Sequence, residues 1–382
     1  MTSQQTLSSL ALSQSLVTAL VEDADDKTCR TLFYPELSPL GWHLGHCVYT
    51  ECYWLHEVIR GDATVTAPLR EFYMPPHTPK VERGKRLPER SDLLQWAKDL
   101  QAYNLSYLTG LDVNHELLQD EYLQQFLIQH YSQHYENMLM VLGQKALQEQ
   151  QGNVSIRTSL QPARLRPEKS SIMRGHYRIG GTAPAAYDNE LPQQRADLAG
   201  FAISRFPVSN AEYLAFMLDE GYANTALWSD DGRRWKRDHP EIRGPAFWRQ
   251  APDGTWFGTG IRGAYELAAD KPVFGLGKYE AEAFANWAGG VLPHEYQWEA
   301  ACRTGSLQDT GRVWEWCDNV FHPYEGYQPF PYDEYSTPWF DGTHYTLKGG
   351  SLYTRPAVKR PSFRNFYQAD KRHIFAGLRL AW

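Results

Sequence analysis

No stretch of this 382-residue chain approaches the roughly 18 consecutive apolar residues of a membrane-crossing helix, so no membrane partner is expected. Cysteine is scarce. Its five positions, Cys29, Cys47, Cys52, Cys302 and Cys317, are odd in number and form no CxxC pair. That excludes a zinc ribbon and a disulfide framework. An excess of basic charge is also lacking, because 38 Lys and Arg stand against 45 Asp and Glu, for a net charge of -7. A nucleic-acid partner is therefore not expected. Residues 1–20 combine neither a basic start nor a long apolar run, so no signal peptide is expected and a cytoplasmic location is. What the chain does have is aromatic residues, 14% overall with 13 Trp and 23 Tyr, more than packing alone requires. The length suggests two or three domains.

The texture changes near residue 150. Before it the pattern is helical, with Leu7, Leu10, Leu16, Leu20 and Val21 near a 3.6-residue period. Residues 40–60, 91–110 and 116–148 give three more helices, so residues 1–150 read as a four-helix bundle. A proline-rich and then basic connection (Pro75 to Arg86) interrupts it. Residues 151–172 are polar and aperiodic and read as a linker. Residues 173–382 are dense in Gly, Trp, Tyr and Pro, with short strands at 175–180, 200–206 and 344–348 and helices at 208–219 and 277–289. Ser209 and Asn210 are candidate N-caps for the first of these helices. This half reads as a compact α+β domain.

His130-x-x-x-His134 is the sharpest chemical signal. Residues four apart share one helix face, where two imidazoles can hold one metal ion. His43 and His46, three apart on another bundle helix, can each supply a third nitrogen. Three neutral imidazoles suit Fe(II), Zn or Cu. In the second domain Arg364, Lys371, Arg372 and Arg379 with Asp370 offer contacts for a zwitterion or carboxylate. Phe366 and Tyr367 offer ring faces for a quaternary ammonium. VWEWC (313–317) and LKGGS (347–351) read as core and turn.

The order of these motifs resembles that of the iron-dependent sulfoxide synthases of ergothioneine biosynthesis and their selenoneine- and ovothiol-forming relatives. SPLGWHLGHCVYTE and QHYSQHYE carry the likeness in the first half. In the second it lies in GHYRIGG, YDNE, RFPVSNAEYLAFM, GYANTALW, LPHEYQWEAA, GRVWEWC, LKGGS and FRNFY. The resemblance implies a DinB-like four-helix bundle followed by a formylglycine-generating-enzyme-like domain with a C-type-lectin-like fold, an α + (α+β) chain. It implies Fe(II) on His46, His130 and His134, with His43 outside the set. Hercynine would be the acceptor, with O2 and a thiol or selenol donor. Asn365, Phe366 and Tyr367 would face hercynine, and Arg83 and Arg86 the donor's carboxylates. Tyr324 would be the acid near the iron, with Tyr327 close behind. The metal ligands lie in the first domain and the substrate residues mostly in the second, so turnover is expected to require both.

Three departures bear on specificity. Tyr131 stands where the family often has glutamate. The segment before LKGGS and the ending FRNFYQADKRHIFAGLR resemble the selenoneine and ovothiol relatives more closely. Residues 352–366 hold no cysteine, which argues against sulfatase activation, since formylglycine-generating enzymes use a cysteine pair there. The expected activity is oxidative carbon–sulfur or carbon–selenium bond formation. An ovothiol-type reaction on histidine, a zinc hydrolase or transferase at the same triad, and a non-catalytic binding module are the rivals.

Overall fold

Helix α1 (Ser3–Glu22) buries Thr6, Leu10, Gln14, Val17, Thr18 and Val21. The expected leucine stripe is rotated, leaving Leu7, Leu16 and Leu20 only partly covered. The physical reason is a buried polar network. Gln14 donates to Glu51 at 2.8 Å, and Thr18 donates to Gln101 at 3.2 Å. Hydrophobic periodicity cannot see a face whose central residues are polar but satisfied.

The computed structural model describes every residue except 1, 2, 112, 113, 150–155 and 167. It divides into two units, Met1–Gln148 and Glu149–Trp382. In the first, the long helices are α1, α3 (Leu40–Cys52, continued by a π-helical turn Tyr53–Val58), α6 (Arg90–Thr109) and α7 (Tyr122–Glu149). Helices α1 and α3 both pack on α6. Three short helices, α2 (Asp26–Arg30), α4 (Arg70–Tyr73) and α5 (Lys80–Arg86), fill the connections. The basic connection is thus helical and closely packed. A Cβ at Gly84 would sit 2.0 Å from the Arg30 carbonyl oxygen, so only glycine lets α5 lie that close to α2.

The second unit opens with β1 (Lys169–Ile172), which pairs antiparallel with β4 (Phe201–Ser204), so the end of the expected linker is a strand. Strands β2 (Gly175–Ile179) and β3 (Gln194–Leu198) form a second ribbon. Helices α8 (Asn210–Leu218, capped by Ser209) and α9 (Asp230–Asp238) follow, then a three-stranded sheet of β5 (Trp248–Gln250), β6 (Trp256–Gly260) and β7 (Gly263–Tyr265). After α10 (Lys278–Trp287) and α11 (Glu295–Arg303) comes the main sheet of β8 (Trp314–Val320), β9 (His344–Lys348), β10 (Asn365–Gln368) and β11 (Ala376–Gly377). Its order is β10-β9-β8-β11. The VWEWC segment lies in and beside β8, with Trp314, Trp316 and Cys317 buried. No helix among the described residues is long and apolar enough to cross a membrane.

Three ion pairs lie inside this unit with both side chains fully buried: Arg364–Glu295, Lys348–Glu299 and Arg379–Glu315. Glu315 also accepts from the Trp298 indole N–H at 2.6 Å. Removing one partner strands a charge, which costs about 3–5 kcal/mol. Arg379→Met should lower the denaturant midpoint of the second unit's transition accordingly. An unchanged midpoint would remove the pair from any account of stability.

Candidate metal centre

Helix α3 starts after Pro39, and all thirteen of its residues are buried. It can be this enclosed because of its glycines. A Cβ at Gly45 would fall 2.3 Å from the Tyr73 ring, so glycine allows that ring to lie across the helix. The same close approach brings the Tyr73 carbonyl oxygen to 2.8 Å from His46 Nδ1. A carbonyl only accepts, so His46 carries its proton on Nδ1 and leaves the Nε2 lone pair for another partner.

Helix α7 presents His130 and His134 one turn apart, with ring centroids 4.5 Å from each other. The His46 ring lies 5.1 Å from His130 and 4.8 Å from His134. One ligand nitrogen from each of the three falls within 4.8 Å of the others. His43 is engaged differently, with its Nδ1 2.9 Å from His134 Nδ1. His46 is stacked on Trp42 at 4.7 Å, and the Arg83 guanidinium also lies over the Trp42 ring, at 3.8 Å.

Burial and proximity hold these rings neutral. Desolvation first, then His46 and Arg83, pull His43 down to about 3. Desolvation pulls His46 down to about 4, with Arg83 adding and the Tyr73 bond opposing. His130 and His134 are pushed well below the ordinary imidazole range, mainly by desolvation. His130 Nδ1 is buried with no hydrogen-bond partner among the described residues. Neutral imidazoles with lone pairs to spare, and two orphaned buried nitrogens, His130 Nδ1 and His43 Nε2, fit a divalent transition metal.

Comparison with known proteins matches the same two halves. A model of the DinB superfamily matches residues 9–138, and a model of the sulfatase-modifying factor enzyme 1-like domain matches 157–310 and 307–382. The hercynine oxygenase of Mycolicibacterium thermoresistibile is 30% identical, over 94% of this chain and 91% of the relative. That of Mycolicibacterium smegmatis is 31% identical, over 98% of this chain and 97% of the relative. The chain belongs to the hercynine oxygenase family. It is therefore an oxidoreductase, with a DinB-like helical domain followed by a formylglycine-generating-enzyme-like domain. Ergothioneine biosynthesis protein 1 of Schizosaccharomyces pombe is also similar, 26% identical over 56% of this chain and 29% of its own length.

Several residues that the family resemblance assigns to substrate are engaged with neighbours in their own unit. Arg83 is 4% exposed and donates to the Thr78 carbonyl, the Ser38 hydroxyl and the Pro75 carbonyl, so it braces the α3 region from inside. Arg86 is more open, bonded to Thr78 Oγ1 at 2.9 Å and lying over Phe72. Tyr324 packs with Ile179 and Ala300 in the core of the second unit, 2% exposed, under the Arg364 guanidinium. Its hydroxyl is buried with no hydrogen-bond partner among the described residues. Tyr327 donates to Asp188 at 2.8 Å. Arg372 is committed to Glu280, at 2.6 and 3.0 Å, and so anchors the start of α10. Asp370 is exposed beside Lys371. Asn365 accepts from the next backbone N–H.

Phe366 and Tyr367 are neighbours on β10, so their rings leave opposite faces of the strand and cannot flank one cation together. Phe366 stacks on Phe321 at 4.3 Å, and Trp339 stacks beside it at 6.0 Å with 40% of its surface exposed. Tyr367 lies edge-on to His373. Sequence reasoning passed over Trp339, the Tyr73 carbonyl and the His43–His134 contact. The i, i+3 spacing of His43 and His46 hinted at the last; nothing in the sequence signals a backbone carbonyl.

The four depressed imidazoles make apo stability pH-dependent. Each takes up its proton near 6.5 when unfolded but only at lower pH when folded, near 4 for His46 and 3 for His43. Between those limits the unfolded chain holds more protons, so stability rises with pH and falls on acidification. Glu51, raised to about 7 by burial, works the other way, one group against four. The melting temperature of the first unit's transition in metal-free protein should therefore fall between pH 7 and pH 5. A flat profile across that window would contradict the neutral cluster.

Proposed function

We propose that this chain binds Fe(II) through His46, His130 and His134 and joins the sulfur or selenium of a thiol or selenol donor to the imidazole carbon of hercynine, with O2 as oxidant. The observation that carries the reading is the group of neutral, convergent imidazoles in a chain of the hercynine oxygenase family. With a thiol donor the reaction balances as C–H plus S–H plus O2, giving a carbon-bound sulfoxide and one water. When bound, the iron supplies the redox chemistry and favours the thiolate over the thiol.

The protein's part is orientation and charge. The Tyr73 carbonyl fixes the His46 ring. Arg86, the more open of the two arginines, is the proposed contact for the donor's carboxylates. Trp339 and the ring of Phe366 beside it are the proposed surface for the trimethylammonium, and Asn365 the proposed polar contact. An ovothiol-type reaction, with unmethylated histidine as acceptor, is the competing assignment within the same chemistry.

The direct test is anaerobic reconstitution with Fe(II), followed by O2 consumption and product mass spectrometry with hercynine and each of cysteine, γ-glutamylcysteine and a selenosugar. Turnover by the zinc form without O2 would defeat the proposal. His46→Ala, His130→Ala and His134→Ala should each lose iron and turnover together.

A cation–π contact contributes about 0.5–2 kcal/mol, so one good contact gives hercynine a roughly 2- to 30-fold advantage over histidine in kcat/KM. Trp339→Ala or Phe366→Ala should narrow that gap. A wild-type protein that uses histidine as well as hercynine would move the assignment to the ovothiol-type reaction.

A further inference from the structure

We infer that His43 is a positioning residue for the metal centre: its Nδ1 accepts a hydrogen bond from the Nδ1–H of His134 and turns the His134 Nε2 lone pair toward the ion. The inference rests on the metal reading above and goes beyond it, because His43 holds no metal itself.

The argument is one of tautomers. Two imidazole nitrogens 2.9 Å apart form a hydrogen bond only if one carries a proton and the other does not. If His43 were the donor, His134 would spend its lone pair on His43 and present an N–H to the centre. A cation cannot bind there. If His134 is the donor, its Nε2 lone pair is free, and His43 carries its own proton on Nε2. The second arrangement alone is compatible with His134 as a ligand. That Nε2 is itself buried with no hydrogen-bond partner among the described residues.

The ring of His43 is well held. It is 4% exposed and lies edge-on to Trp42 at 5.8 Å. The His43–His134 bond therefore joins a buried, closely packed ring to a metal-facing one. His46 is oriented by a carbonyl on its own Nδ1 in the same way. Groups of this kind typically contribute 10- to 100-fold to metal affinity by fixing the tautomer and ring orientation of a ligand.

The test uses the full chain, freed of metal and titrated with Co(II), whose visible d–d bands report the ligand field directly. Relative to wild type, His43→Ala should weaken Co(II) binding by about 10- to 100-fold and alter the bands. His43→Asn should recover to within a few-fold, because its Oδ1 stands near the lost Nδ1 and accepts the same bond. His43→Gln keeps the volume but carries its amide further out, so it should behave like the alanine variant. It also replaces that variant if the cavity prevents folding. Wild-type affinity and spectrum in His43→Ala overturn the inference. So does a His43→Asn protein as weak as His43→Ala, since the hydrogen bond would then be irrelevant. Wild-type protein that takes up no Co(II) overturns the metal reading itself, which is a different failure from either of these.

Discussion

Four imidazoles crowded at one level of a helical bundle are tolerable only while none carries a second proton. His43, His46 and His130 are buried and His134 partly so, and the Arg83 charge lies just beyond Trp42. Desolvation and mutual repulsion both oppose the charged form. Once neutral, each ring owns one donor and one acceptor. His46 spends its donor on the Tyr73 carbonyl, and the His43–His134 pair shares one proton between two nitrogens. What is left over includes acceptor capacity and two buried orphans, His43 Nε2 and His130 Nδ1. Unmet polar groups cost about 1–3 kcal/mol each, so the apo cluster is held by the rest of the fold and relieved by a cation.

The surrounding bundle is arranged around that constraint. Gly45 gives up its side chain so that Tyr73 can cross α3, and the crossing delivers the carbonyl that His46 needs. Behind the cluster, Tyr131 follows His130 in the chain and donates to Glu51 at 2.7 Å, while Gln14 donates to both Glu51 oxygens. Where the family resemblance leads one to expect a carboxylate on α7, this chain has a phenol, and the carboxylate in contact with it comes from α3. This carboxyl has a different backbone origin, and burial raises it to about 7. Cys47 and Cys52 bury within the same helix and stay protonated, raised by desolvation.

The parts of this arrangement that could be read in the sequence are those whose partners are close in sequence. His130 and His134 are one helical turn apart, so their shared face follows from the pitch alone. Ser209 and Glu212 form a capping box within four residues, and the α8 start was legible for that reason. The illegible parts involve distant partners. Arg364 and Arg379 looked like ligand contacts because their neighbours are basic and aromatic, yet their carboxylates lie 69 and 64 residues earlier. Arg372 reaches back 92 residues to Glu280. That Phe366 and Tyr367 leave opposite faces of a strand was illegible for a simpler reason. Four residues give no period, and without the strand assignment two adjacent rings look like one surface.

The inward commitment of these arginines changes what the second unit can use for recognition. A tail that is basic in composition turns out to carry its strongest cations inside, each neutralised by a carboxylate with both oxygens engaged. Such pairs cannot be lent to a ligand without stranding a glutamate at zero exposure, which costs more than a ligand carboxylate returns. Recognition on this unit must therefore come from groups that lose little by rearranging. The half-exposed indole of Trp339 beside Phe366 is such a group, since a ring face needs no counter-ion and is not used up by its packing. A surface of that kind favours a fixed, poorly hydrated cation over a carboxylate. On physical grounds, then, a methylated amine such as the one proposed for the acceptor is a group that this surface suits.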